Sequence, residues 1–112
     1  MVEQISVTQL SQLLAASPAE ALIHLVDVRE PHEYEQAHVA QAVLVPMGSV
    51  PDRLAEFTGS PDPIYVICEA GMRSQQVAEF LEQHGVNAVN VAGGTGQWRA
   101  AGYPLSTGMP QP

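Results

Sequence analysis

The sequence predicts a single α/β domain built on a mostly parallel sheet with helices on both faces. Three observations lead there. Short, uniformly apolar runs alternate with helical stretches, the pattern of strands buried on both sides. The chain has 112 residues, room for one modest core. Its composition, 46% hydrophobic and 14% charged, is that of a globular protein. The domain is expected over residues 1–105, with 106–112 as a flexible tail that lacks a core-forming pattern.

The elements follow in order. Ser6 and Gln9 have the spacing of a capping box, and Leu10, Leu13 and Leu14 give the helix after them an apolar face that Pro18 ends. Leu22 to Val28 reads as a buried strand, and Pro31 suits the first turn of a short helix. Ala42 to Val45 reads as a second short strand and Val50 to Phe57 as a weak helix, before the break at Pro61-Asp62-Pro63. Ile64-Tyr65-Val66-Ile67 is the most strand-like run in the chain. A helix is expected from about Ser74 to His84, with Val77, Ala78, Phe80 and Leu81 inward and Gly85 just past its end. Ala88 to Val91 makes another strand. Gly93-Gly94 then turns the chain into a last short helix carrying Trp98.

Charge narrows the function classes. Four Lys and Arg, all of them arginine, face twelve acids, a net charge of -8. A chain so acidic lacks the basic face that nucleic acid or an anionic membrane requires. One cysteine excludes an internal disulfide and a cysteine-based zinc cluster, and the four histidines, His24, His32, His38 and His84, lack ligand spacing. No apolar run approaches the roughly 20 residues that span a bilayer, and Met1 to Ile5 has no leader character. The expected protein is cytoplasmic, metal-free, and monomeric or weakly associating.

The chemistry is expected between the strongest strand and the helix after it, at Cys68-Glu69-Ala70-Gly71-Met72-Arg73-Ser74. So short a segment must curl, and Gly71 permits the turn. In a curl of this kind the peptide N–H groups point inward as an anion-binding nest, reinforced by the helix N-terminus. A cysteine there has its pKa lowered from about 8.5 into roughly the 3.5–7.5 range. Cys68 is therefore the expected nucleophile at the mouth of the helix. Arg73 either clamps an anionic substrate or locks the loop to a carboxylate. The alternative is a small apolar cysteine buried after a strand.

The Cys-x-x-Gly-x-Arg-Ser pattern resembles that of the single-domain rhodaneses, a sulfurtransferase family. Leu25-Val26-Asp27-Val28-Arg29-Glu30, Glu33-Tyr34 and Ala37-His38-Val39 resemble the family's first signature. Val91-Ala92-Gly93-Gly94, Trp98 and Gly102-Tyr103-Pro104 resemble its last. The resemblance implies a five-stranded rhodanese fold. It also implies a catalytic Cys68 that carries sulfur as a persulfide, a substrate-binding loop of Glu69, Ala70, Gly71, Met72, Arg73 and Ser74, and no cofactor. The donor would be thiosulfate or a low-molecular-weight persulfide. The acceptor would be cyanide, a thiol or a protein.

Two features bear on specificity. Glu69 puts a negative charge where thiosulfate-preferring members carry basic residues, which favours a persulfide donor. Four residues separate Cys68 from Arg73, one fewer than in the related phosphatases, which favours sulfur over phosphate chemistry. A partner-specific sulfur relay is the main alternative to an enzyme acting on free small molecules.

The remaining residues receive structural expectations. Asp27 and Arg29 either support the loop, by orienting it or Arg73, or form a structural ion pair that fixes the strand end. His38 bonds within a turn or assists proton transfer. His32 and His84 are surface residues. Glu30, Glu33 and Glu35 form a solvated face. Trp98 packs on the sheet or lines the site mouth, and Met72 offers an apolar rim.

Overall fold

The computed structural model describes residues 2–16, 23–59 and 61–109. Among the described residues five strands, β1 (Glu3–Ile5), β2 (His24–Asp27), β3 (Val43–Leu44), β4 (Ile64–Ile67) and β5 (Ala88–Val91), form one sheet in the order β1-β5-β4-β2-β3. Every pairing is parallel. Helices α1 (Val7–Ala16), α2 (Pro31–Gln36), α3 (Met72–Gln83) and α4 (Gly94–Ala100) complete the fold with 3-10 turns over Met47–Ser49 and Pro51–Glu56.

Alternation along the strands divides the core in two, because successive side chains leave opposite faces of a sheet. Val26, Val28, Val66, Cys68 and Ala88 join Val77, Ala78 and Leu81 of α3 and Val50 and Phe57, which flank the second 3-10 turn. Leu25, Ile67 and Val91 join Leu10 of α1, Tyr34 of α2 and Trp98 of α4. Both faces are thus covered, as the uniformly apolar strands require.

Local signals act where the sequence places them. Ser6 Oγ accepts from Gln9 N–H at 3.1 Å, and Gln9 Oε1 accepts from Ser6 N–H at 2.8 Å, closing the capping box. Gly85, at φ 81°, ends α3: its N–H bonds the Glu82 carbonyl and Val86 N–H bonds that of Leu81.

Differences from expectation have local causes. The strand β1 is absent from the sequence reading because it is a three-residue edge strand whose Glu3 and Gln4 are exposed. The helix α3 starts two residues early, at Met72, because Gly71 at φ 99° completes the turn by itself. The weak helix over Val50 to Phe57 is a 3-10 pair kinked at Arg53. β3 has only two paired residues, since Ala42 closes a turn onto Val39. The expected tail is tied down where described: Ser106 and His38 exchange backbone bonds of 2.7 and 2.9 Å, and Gly108 N–H bonds the Glu35 carbonyl. Pro18, Leu22 and residues 110–112 lie outside the described residues.

Parallel strands put all their carboxyl ends on one edge. Cys68 follows β4, the middle strand. The Asp27-Val28-Arg29 segment closes β2 on one side, and Ala92-Gly93-Gly94 leaves β5 on the other.

Candidate active site

The Cys68 sulfur sits on the floor of the β4–α3 loop. Gly71 N–H donates to Sγ at 3.1 Å and the Ser74 hydroxyl at 3.3 Å. Burial pushes the thiol pKa up. The Ser74 hydroxyl and the backbone N–H groups of Ser74, Gly71 and Ala70 outweigh that effect, so the net displacement is downward. The expected nest is present and organised around the sulfur. Cys68 is only 1% exposed, so the sulfur is sheltered below the loop and not presented to solvent.

The loop keeps its amides inward because its carbonyls are satisfied elsewhere. Thr95 N–H, in the first turn of α4, bonds Cys68 O at 2.8 Å, and Gly96 N–H bonds Glu69 O at 2.9 Å. The close approach depends on glycine: a Cβ on Gly94 would stand 2.4 Å from Cys68 O and 2.7 Å from Glu69 O. A Cβ on Gly96 would meet Glu69 O at 3.1 Å and its Oε2 at 3.2 Å. Asn90, buried on β5, donates to Gly71 O at 3.3 Å and holds the loop from behind.

The arginines are committed. Arg73 makes a two-bond fork with Glu33, at 2.7 and 2.9 Å. That bond holds the Glu33 carboxyl down at about 2 and pushes the Arg73 guanidinium further up. Arg73 therefore locks the loop to α2, and Glu33, read from sequence as solvated, is its anchor. Arg29 is 1% exposed. It forks onto Asp27 and also bonds Ala37 O at 2.7 Å and Glu69 Oε1 at 3.2 Å. Its burial alone would favour the neutral form, but Asp27, with Glu69 and Glu33, outweighs it and the guanidinium pKa is raised. The other Glu69 oxygen takes Arg99 Nη1 at 2.9 Å.

Glu69 is thus not a bare negative charge in the loop, as the sequence suggested, but one bridged between two arginines. Arg99 was not singled out from sequence, and neither were Asn90, Thr95 and Gly96. The Gly-Gly-Thr-Gly run after β5 was the available signal.

Other candidates fall away from the sulfur. The His38 ring stacks on Tyr34 at 3.7 Å and bonds the Tyr34 carbonyl at 2.7 Å, a structural role. Trp98 packs on the opposite sheet face and donates to Pro104 O. Met72 is 74% exposed on the rim, beside exposed Ala70. Among the described residues no group of three or more His, Cys, Asp or Glu side chains is placed to hold a metal ion. No helix there is long and apolar enough to cross a membrane.

A loop of converging N–H groups around one sulfur, between a parallel strand and a helix, is the arrangement expected of the short Cys68 to Ser74 segment, the same segment whose pattern resembles the rhodaneses. The family model of the rhodanese-like domain matches residues 6–101. The chain belongs to the rhodanese-like domain family.

Several of its relatives are named as sulfurtransferases. A sulfurtransferase of Allochromatium vinosum is 35% identical over 106 residues, covering 94% of this chain and 95% of its own. Thiosulfate sulfurtransferase PspE of Escherichia coli is 39% identical over 85 residues, 73% of this chain and 80% of its own. Among solved structures, the rhodanese-like domain protein of Staphylococcus aureus matches with a TM-score of 0.81 at 33% identity, covering 96% of this chain and all of that one. This family membership fixes the fold and places the chain among sulfurtransferase relatives.

Proposed function

We propose that this rhodanese-like protein transfers sulfane sulfur through a persulfide on Cys68. The observation that carries the proposal is the convergence of the Ser74 hydroxyl and the Ala70, Gly71 and Ser74 amides on Sγ, which favours the thiolate. In the first half-reaction the thiolate attacks the outer sulfur of a donor R–S–SH. The Sγ–S bond forms, the donor S–S bond breaks, and the thiolate RS⁻ leaves and takes up the proton. In the second, an acceptor such as cyanide attacks the outer sulfur of the persulfide, forming thiocyanate and returning the thiolate. The two half-reactions give ping-pong kinetics. The carrier is the cysteine itself, with no metal or organic cofactor.

The loop residues Glu69 to Ser74 form the binding site for the transferred sulfur, and Asp27 and Arg29 support them through Glu69. The preferred donor is a persulfide and not thiosulfate. Asp27, Glu33 and Glu69 offset Arg29, Arg73 and Arg99 one for one, and the thiolate tips the local balance negative. Thiosulfate carries its double charge on the reacting group itself, next to that thiolate, and gains nothing from such a site in a chain of net charge -8.

The burial of Cys68 favours a second reading, a sulfur relay in which a protein partner parts the exposed rim at Ala70 and Met72 and exchanges sulfur directly. Intact mass after incubation with glutathione persulfide tests both. A gain of one sulfur atom, absent in Cys68→Ser, supports the persulfide. Cyanide turnover then marks a small-molecule enzyme, and its absence marks a relay. A Cys68 left unmodified by every donor would defeat both readings.

A further inference from the structure

Three guanidiniums surround the loop, and they differ in what it costs to move them. Arg29 is buried and forked onto Asp27, so drawing it away would strand a charge inside the protein. Arg73 is held by two short bonds to Glu33. Arg99 is different. Its side chain is 49% exposed and touches Glu69 through a bond of 2.9 Å from Nη1, and the Glu69 side chain is itself 39% exposed. Exposed pairs of this kind contribute about 0–1 kcal/mol. When Arg99 turns away, Glu69 keeps Arg29 on its other oxygen, at 3.2 Å, so no carboxylate is left unpaired. Glu69 adjoins the nucleophile in sequence, and Gly96 lets its carboxylate lie along the first turn of α4. Arg99 therefore stands at the rim of the loop as an exchangeable cation.

We infer that Arg99 is a specificity-determining residue that trades Glu69 for a carboxylate carried by the sulfur donor, and so selects carboxylate-bearing small-thiol persulfides over neutral ones. The inference rests on the sulfurtransferase reading above and names the donor class for that same site. A planar guanidinium matches a single carboxylate, with two parallel N–H···O bonds available. The transfer step is unchanged: the donor S–S bond breaks, the Cys68 Sγ–S bond forms, and the carboxylate-bearing thiolate leaves with the electron pair.

The test uses the full chain and two donors, glutathione persulfide, which bears carboxylates, and the persulfide of 2-mercaptoethanol, which bears none. Rates of sulfur loading on Cys68 are followed by quenched intact mass across donor concentrations. The reported quantity is the ratio of loading efficiencies, carboxylate donor over neutral donor. Arg99→Gln is expected to lower this ratio about threefold, through half-saturation and not through the maximal rate, the effect of one ion pair at an exposed site. Arg99→Glu is expected to lower it further, and Arg99→Lys to restore part of it. A ratio unmoved in Arg99→Gln and Arg99→Glu overturns the donor assignment while sulfur loading persists. Failure of both donors to load wild-type Cys68 overturns the sulfurtransferase reading, and this inference with it.

Discussion

The turns into α3 and α4 are built alike and used in opposite ways. Both leave a parallel strand, and both start their helix after a glycine in the left-handed region, Gly71 at φ 99° and Gly93 at φ 83°, with no side-chain cap. The first turn aims its N–H groups at a sulfur. The second gives its N–H groups to the carbonyls of the first, Thr95 to Cys68 and Gly96 to Glu69. An anion nest therefore needs a partner. Inward amides leave outward carbonyls, and a buried carbonyl must be satisfied somewhere. Here the neighbouring helix satisfies them, at a distance only glycine permits.

The largest expected effect comes from breaking that contact. Gly94→Ala forces a Cβ onto Cys68 O and Glu69 O. It should cost about 1–3 kcal/mol of stability in urea unfolding and lower sulfur loading of Cys68 more than a hundredfold. Gly85→Ala is the matched control: it also has positive φ, at 81°, but its Cβ meets nothing within 4 Å. It should cost about 1 kcal/mol with loading retained.

Ser74→Ala removes the hydroxyl donor from Sγ while leaving the backbone nest in place. Loading at neutral pH should fall about tenfold, roughly the effect of one hydrogen bond to a charged group. Raising the pH should recover most of the loss, as the thiolate returns by ordinary ionisation. A loss that pH does not recover would mean that Ser74 acts on folding and not on the sulfur.

Glu33→Gln tests the loop from the α2 side. The Glu33 carboxyl is held at about 2 in the folded chain, against about 4.3 in an unfolded one. A depressed carboxylate contributes stability that is complete above the unfolded value and lost as pH falls through the folded one. Glu33→Gln should thus be less stable than wild type by about 1 kcal/mol near neutrality, and the gap should close between roughly pH 4 and pH 2. The smallest effect belongs to Arg53–Glu56, an exposed pair that starts at the kink of the 3-10 pair over Pro51–Glu56. Arg53→Ala should leave the urea-unfolding midpoint unchanged.

Local features of the sequence carried most of this. The capping box, the run Ile64 to Ile67 and the Cys68 to Ser74 loop each lie within a few residues, where spacing and propensity decide the outcome. What was not legible lies across the topology. Glu33 and Arg73 are 40 residues apart, and Glu69 and Arg99 are 30. Only the β1-β5-β4-β2-β3 order brings their elements together at one edge. Glu33 therefore reads as one of several surface acids, and Glu69 as an unopposed charge. β1 was hidden for a different reason: a polar edge strand borrows its backbone partners from β5 and needs no apolar run of its own.

The central claim is that peptide N–H groups and one hydroxyl hold the Cys68 sulfur as a thiolate despite its burial. The direct measurement is the ultraviolet thiolate absorbance of the wild-type protein against pH, with Cys68→Ser subtracted. The account predicts a midpoint below the value of about 8.5 for a free cysteine. A midpoint at or above it would contradict the account.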